Sequence, residues 1–318
     1  MKLSELRRLM REIPIPADVS QQNLRNEYLL KLGLDPNNLY QELEMESRFA
    51  DTHRDTSFSN AGLHLHSHSF YELLYCRNTC GVEYLVGAER YRLQKGDIVI
   101  VPPGVSHRPL LPEHMTQPYM RDVLWLSQEF FTTMEQIVPA GELHRISGTR
   151  LLRTAATQWE SLGELFHHGV EEAERREVGW ELAVMGNTLQ LMACLCRTVQ
   201  DRTARPLRAE KPELLDRILA HIEENLQEKL TLGEVARQFY VSQSTVSQIF
   251  REKMGVSFYR CVTQRRLIAA KSFIMEGYAL ETVAGGVGFS DYSAFYRAFR
   301  QEYGISPRQY RNLHDGNA

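Results

Sequence analysis

The chain has 318 residues, 43% hydrophobic and 24% charged, a composition that fits a globular protein with room for two domains. MKLSELRRLMREIPIP lacks a signal-peptide core and no run approaches the roughly 20 apolar residues of a membrane span, so a cytoplasmic protein with no membrane partner is expected. Five cysteines without a C-x-x-C pair argue against a disulfide framework or zinc finger, and a net charge of −3 argues against a surface coated throughout by nucleic acid.

The charge is uneven. Arg251 to Ala318 holds ten Lys/Arg against six Asp/Glu, an excess of four that leaves −7 on the rest of the chain. A basic C-terminal region on an acidic body points to one localised polyanion surface.

In chain order, residues 1–45 read as an amphipathic helical extension around LSELRRLM and NLRNEYLLKLGL, broken by Pro14 and Pro16. From 46 to about 126 the pattern changes to short strands, with LHLHSHSFYELLY alternating, VEYLV and RYRL following, and DIVIVPP ended by prolines. Gly81, Gly87, Gly96 and Gly104 divide these strands into the rhythm of a small β-sandwich or barrel, assigned to residues 46–149. In an extended strand His64, His66, His68, Phe70 and Glu72 share one face.

His66-Ser-His68-Ser-Phe-Tyr-Glu72, followed by Gly96-x5-Pro102-x-Gly104-x-x-His107, resembles the two cupin motifs over roughly residues 60–115. The resemblance implies a cupin-like barrel in which His66, His68, Glu72 and His107 form an effector site and, where a metal is bound, hold a divalent ion such as Fe, Mn, Ni or Zn. The plainer alternative is that these histidines are satisfied among core polar groups. Tyr71, Tyr75, Tyr84, Tyr91, Arg77, Arg90, Arg92 and Arg108 are further candidate contacts, and strand parity leaves open which of them face inward. Nothing in the motif selects a reaction, so no catalytic residue is assigned; a metal-dependent cupin enzyme fused to a second domain stands as the alternative.

Residues 150–200 return to helical periodicity. Leu151, Leu152, Ala155, Trp159, Leu162 and Phe166 make one stripe, and Leu182, Met185, Leu189, Met192 and Leu195 a second, a helical pair suited to dimerisation. DRTARPLRAEKP over 201–212 is charged, proline-bearing and aperiodic, and serves as the linker to a domain over 213–318.

That last domain contains an internal repeat. TLGEVARQFYVS (231–242) aligns with ALETVAGGVGFS (279–290), and FREKMGVS (250–257) with FRQEYGIS (299–306). In the first copy Thr231-x-x-Glu234 is a capping box and Ser242 caps a second helix whose Val246, Ile249 and Phe250 face inward. The second copy packs Val283 and Ala284, turns at Gly288, and begins a helix at Ser290 with Phe295 and Phe299 inward and Asp291 on the outward side. A helix from about Phe258 to Met275 joins the copies, with Arg265, Arg266 and Lys271 on its polar side. Two short helices around a tight turn describe a helix-turn-helix, here present twice.

Val283-Ala284 before Gly288-Phe289-Ser290, Phe299-Arg300, Gly304-x-Ser306-Pro307, Tyr310-Arg311 and Arg266-Leu267-x-x-Ala270-Lys271 together resemble the DNA-binding domain of AraC/XylS transcription regulators over Leu214 to Arg311. The resemblance implies an α+β chain: a cupin-like barrel with flanking helices, then an all-α domain of two helix-turn-helix units that read double-stranded DNA. By position the readers are Gln243, Ser244, Ser247 and Gln248 in the first unit and Tyr292, Ser293, Tyr296 and Arg297 in the second. Arg251, Arg265, Arg266, Lys271 and Arg300 are the phosphate candidates. An effector-responsive activator follows, with a sugar or other small molecule as effector, a homodimer as the working form and RNA polymerase as a partner. Gly285, Gly286 and the uncapped Ala279 depart from the family pattern and weaken the second unit.

Overall fold

The computed structural model describes residues 45–58, 65–112, 114–138, 141–201 and 211–315. The amphipathic extension, most of the linker and His64 lie outside the described residues.

Among the described residues there are eight strands: β1 (Ala50–Ser57), β2 (Tyr71–Cys76), β3 (Glu83–Val86), β4 (Glu89–Arg92), β5 (Asp97–Val101), β6 (His107–Leu110), β7 (Tyr119–Leu126) and β8 (Leu151–Arg153). They pair antiparallel as a five-stranded sheet, β1-β7-β2-β5-β8, and a three-stranded sheet, β4-β3-β6. Strand hydrogen bonding therefore gives two antiparallel sheets that share one core. Because successive strand residues point to opposite faces, Leu74, Val99, Val101 and Val123 enter the core between the sheets, where they meet Tyr84, Val86 and Tyr91. Their neighbours Leu73, Ile98, Ile100 and Leu124 point the other way, into a second core under the helices. The near-continuous apolar runs LLY and DIVIV thus follow from burial on both faces.

Four helices cover the outer face of the larger sheet: α1 (Gln128–Glu135), α2 (Glu142–Ser147), α3 (Leu162–Arg175) and α4 (Trp180–Gln200). Two assignments from the sequence change here. Leu151 and Leu152, read as helical, form β8 and pair with Val99 and Ile98; a two-leucine run fits either periodicity, and the free edge of β5 decides it. The stripe on α4 also splits, since Met192 and Leu195 are buried with Val184 and Leu191 whereas Leu182 and Leu189 stay 79% and 41% exposed. Contrary to expectation, α4 is by length and composition apolar enough to cross a membrane, with 33% of that window buried. A core-covering helix passes the same test, and the buried residues of α4 pack in the core beneath the helices.

The C-terminal part contains α5 (Leu214–Glu224), α6 (Leu232–Gln238), α7 (Gln243–Ile249) running into a π-helical turn (Phe250–Met254), α8 (Phe258–Met275), α9 (Leu280–Gly286), α10 (Tyr292–Tyr303) and α11 (Pro307–Asp315). Connector α8 serves two cores. Its first half gives Phe258, Cys261 and Val262 to the core of α5–α7, and its second half gives Leu267, Ala270 and Ile274 to that of α9–α11.

The repeat is reproduced down to its turns. Val241 N–H donates to Ala236 O at 3.0 Å in the first unit, and Phe289 N–H donates to Ala284 O at 3.0 Å in the second. The residue before each donor is left-handed: Gly288 at φ +89°, but Tyr240 at φ +57° with its side chain 95% exposed. Leaving the left-handed region free of a side chain relieves about 1–2 kcal/mol, against about 0.4–1 kcal/mol of added unfolded-state entropy. Tyr240→Gly is therefore expected to raise stability by up to about 1 kcal/mol, read from the denaturant midpoint; a lowered midpoint contradicts the strain.

The first unit keeps its capping box, with Thr231 Oγ1 accepting from Glu234 N–H. Ala279 gives α9 no side-chain cap, and a Cβ at Gly285 or Gly286 would meet only open space. Amides of 280–287 are accordingly expected to exchange faster than those of 232–240, and Gly285→Ala to recover about 1 kcal/mol. Equal protection in the two segments would refute this.

Candidate nucleic-acid interface and histidine site

Both second helices present a polar face. On α7, Ser242 Oγ accepts from Thr245 N–H at 3.0 Å, and burial of Val246 and Phe250 turns Gln243, Ser244 and Gln248 outward with Ser247 half-buried beside them. Gln248 donates to Glu252 at 2.7 Å, which orients its amide along the helix. On α10 the cap is Asp291, not Ser290: Asp291 Oδ1 accepts from Ala294 N–H at 2.7 Å, and Ser290 Oγ donates to Asp291. A carboxylate at the positive end of the helix outcompetes a hydroxyl one residue earlier, so the helix starts at Tyr292 and Asp291 leaves the reading face. These hydrogen bonds and the nearby Arg297 hold the Asp291 carboxyl below its ordinary value. Buried Phe295 and Phe299 leave Ser293, Arg297 and Arg300 exposed, with Tyr296 half-buried. Tyr292 is also half-buried, its ring 6.0 Å from Phe295.

The phosphate candidates divide. Arg251 and Arg300 are exposed. Arg266 instead donates to Leu226 O at 2.9 Å and Glu228 O at 2.7 Å, tying the α5–α6 connection to α8. Lys271 lies over the rings of Tyr303 and Tyr310 at 4.9 and 5.2 Å. Arg265 is only 1% exposed and points into the β-sheet domain, so its place on a polar side of α8 is corrected. Helical periodicity shows that residues share a face; it does not show that a neighbouring domain covers it.

The β-domain gathers a second cluster. His66 and His107 form an isolated antiparallel bridge, while His68, Glu72 and His107 bring ligand-type atoms within 4.8 Å of one another. The His66 ring lies 4.2 Å from that of His107 but outside this trio. Residues 65–70 are not a continuous strand, so the expected shared face is realised by a bridge and a turn leading into β2. His68 Nδ1 contacts Phe70 O at 2.8 Å and His107 Nδ1 contacts Val105 O at 2.9 Å. A carbonyl only accepts, so both rings donate from Nδ1 and, when neutral, turn an Nε2 lone pair toward Glu72 Oε2, at 3.7 and 3.1 Å. In that neutral form neither Nε2 has a hydrogen-bond donor among the described residues. A proton or a cation between the rings and the carboxylate satisfies all three groups. Burial alone would raise the Glu72 carboxyl, but hydrogen bonds and charge from His107 and His68, when their Nε2 atoms are protonated, outweigh it and hold Glu72 well below the usual range. Burial pulls His68 down, which favours its neutral, ligand-competent form.

Trp125, which the sequence reading passed over, donates to Glu72 Oε1 at 2.8 Å and fixes the carboxylate. Tyr84 and Tyr91 lie in the core between the sheets, whereas Tyr71 and Tyr75 pack toward the helices. His68 also lines a cleft of about 440 Å³ between the β-domain and α8, with Ser67, Gln128, Lys271 and Glu276 on its walls.

A sequence family described as helix-turn-helix domain matches residues 235–313. The chain is 35% identical over 130 residues to the probable transcriptional regulator LumQ of Photobacterium leiognathi, covering 40% of this chain and half of LumQ. It is 26% identical over 259 residues to the HTH-type transcriptional activator RhaS of Salmonella arizonae, covering 79% of this chain and 88% of RhaS. The DNA-binding domain of AdpA, solved in complex with a target DNA, shares 26% identity over 32% of this chain and 92% of that one, with a TM-score of 0.31. Two capped helices that offer polar faces to solvent, together with relatives named as transcriptional regulators, make this chain a DNA-binding transcription regulator with a C-terminal helix-turn-helix domain.

Proposed function

We propose that the chain is a cytoplasmic, effector-responsive activator that reads two successive major grooves through α7 and α10. The observation that carries this is the repeat itself: two units with the same turn closure, each donating a core to one half of a single rigid connector. Gln243, Ser244, Ser247 and Gln248 read the first groove and Tyr292, Ser293, Tyr296 and Arg297 the second, with Arg251 and Arg300 on phosphates. Activation follows the name of the relative RhaS and makes RNA polymerase the downstream partner.

The effector site centres on His66, His68, Glu72 and His107 in the cupin-like domain, with a sugar or small acid as ligand. His68, Glu72 and His107 also fit a divalent metal, since two imidazole lone pairs converge on one carboxylate. Such a metal would supply a Lewis acid for an effector oxygen, while Trp125 keeps the Glu72 carboxylate oriented. The trio equally supports the alternative of a metal-dependent enzyme joined to a DNA reader. Leu182 and Leu189 on the outer side of α4, beside exposed Val178, supply the apolar face for a homodimer.

Thermal-shift screening of the full chain against sugars and small acids tests the sensor, because ligand binding to the folded state raises its apparent stability. The expected result is a stabilising ligand that also changes operator affinity. A chain that binds operator yet responds to no such compound is a ligand-independent regulator. Metal content before and after His107→Ala, with turnover of any bound compound, decides the enzyme alternative.

A further inference from the structure

A carboxylate stands where the second reading helix should be apolar. Helical spacing puts Glu302 on the buried stripe of α10 with Phe295, Phe299 and Tyr303, and it is 2% exposed. Two of its partners lie on the connector. Gln264, itself buried, donates to Glu302 Oε1 at 3.1 Å, and Arg260 pairs with Glu302 Oε2. Arg260 and Gln264 are one helical turn apart on α8, so they meet α10 side by side.

Their place along the connector gives the contact its consequence. They lie among Phe258, Cys261 and Val262, in the half of α8 that joins the core of the first unit, whereas α10 shares its apolar core with Leu267, Ala270 and Ile274 in the other half. The network therefore ties the last turn of the second reader to the platform of the first. The route through α9 is a poor substitute, since that helix has no side-chain cap and carries Gly285 and Gly286. Nor does a reading unit need a buried carboxylate in order to fold. In the repeat FREKMG aligns with FRQEYG, so Glu302 corresponds to Lys253, which is exposed, and the first unit closes its core without such a charge.

A buried ion cluster is a poor source of net stability, because desolvation of the charges offsets their attraction, and its best-attested use is to specify one arrangement of parts. Apolar packing of Phe295 and Phe299 is non-directional and leaves room for small slides and rotations, whereas a carboxylate held by an amide and a guanidinium does not. We propose that Arg260 and Gln264 are positioning residues that, through Glu302, set the distance and angle between α7 and α10, and with them the spacing of the two DNA segments that the chain accepts. This assignment rests on α7 and α10 being the DNA readers and adds what aligns them.

The test uses the full chain and an operator selected from a random duplex pool, with one base pair added or removed between its two segments. Each step moves the segments by about 3.4 Å and turns one about the other by about 35°. Readers locked together cannot engage both segments after that change, so wild type is expected to lose about 10-fold or more in affinity. Glu302→Leu with Gln264→Leu replaces the network by apolar side chains of similar volume. This double variant is expected to melt close to wild type, to bind duplexes that keep a single segment as wild type does, and to lose less than about 3-fold on the altered spacings. Arg260→Met, an independent variant, is expected to melt earlier because it strands the Glu302 charge, yet to show the same relaxed spacing. Equal spacing penalties in wild type and a folded variant overturn the assignment, as does a wild type indifferent to spacing. Variants that both unfold before operator binding can be read overturn it too, because the network is then a source of stability and not of alignment. A selection that enriches no sequence, or a footprint of one segment, would instead reject the two readers themselves.

Discussion

Gly288→Ala is expected to destabilise the second reading unit by about 2–5 kcal/mol. The residue sits at φ +89°, where an L side chain costs about 1–2 kcal/mol. A Cβ there would also lie 2.1 Å from Leu226 O, the carbonyl that accepts from Arg266 Nε, and overpacking of that kind adds about 1–3 kcal/mol. The carbonyl cannot yield without loosening the bond that ties the α5–α6 connection to α8. The change should therefore show as early melting of residues 280–310 by hydrogen exchange, with 232–250 retaining most of its protection. Protection unchanged in both segments would contradict the close approach. Tyr240, the equivalent residue of the first unit, has its side chain in solvent, so the same position demands glycine in one copy and tolerates tyrosine in the other.

Arg297→Ala is expected to weaken operator binding by about 1–3 kcal/mol and to relax sequence preference in the half-site read by α10. Arg297 is exposed on the face opposite buried Phe295 and Phe299, and a bidentate fork there matches guanine O6 and N7. Arg300→Ala on the same helix should behave differently, weakening all sequences alike and lowering the salt slope by about 0.9, as loss of a phosphate contact does. Competition between the selected operator and single-base variants separates the two effects. Equal, sequence-independent losses from both substitutions would place Arg297 on the backbone instead of a base.

Much of the reading domain is legible because its information is local. Thr231 and Glu234, Ser242, the Val246/Phe250 pair and the Phe295/Phe299 pair act within one turn of a helix, and the repeat doubles each signal. The start of α10 is less so, because Ser290 and Asp291 are both capping residues and only geometry selects the carboxylate. Helices α1 and α2 go unread, each being six to eight residues long and amphipathic over barely two turns. Strand β8 is decided by a partner edge more than fifty residues away, which periodicity does not register. The same limit governs the site. Spacing brings His68, Glu72 and His107 into one list, but the hydrogen bond from Trp125 and the burial of Arg265 depend on what the fold places opposite them.

Selection of the full chain on a random duplex pool, followed by footprinting on the selected site, tests whether one chain carries two DNA readers on a fixed connector. Two protected major-groove segments are expected on one face of the duplex, centred about 10 base pairs apart, with substitutions at Gln243 or Gln248 altering one segment and at Arg297 the other. Enrichment of no sequence, or of a single segment indifferent to changes in α10, would contradict it.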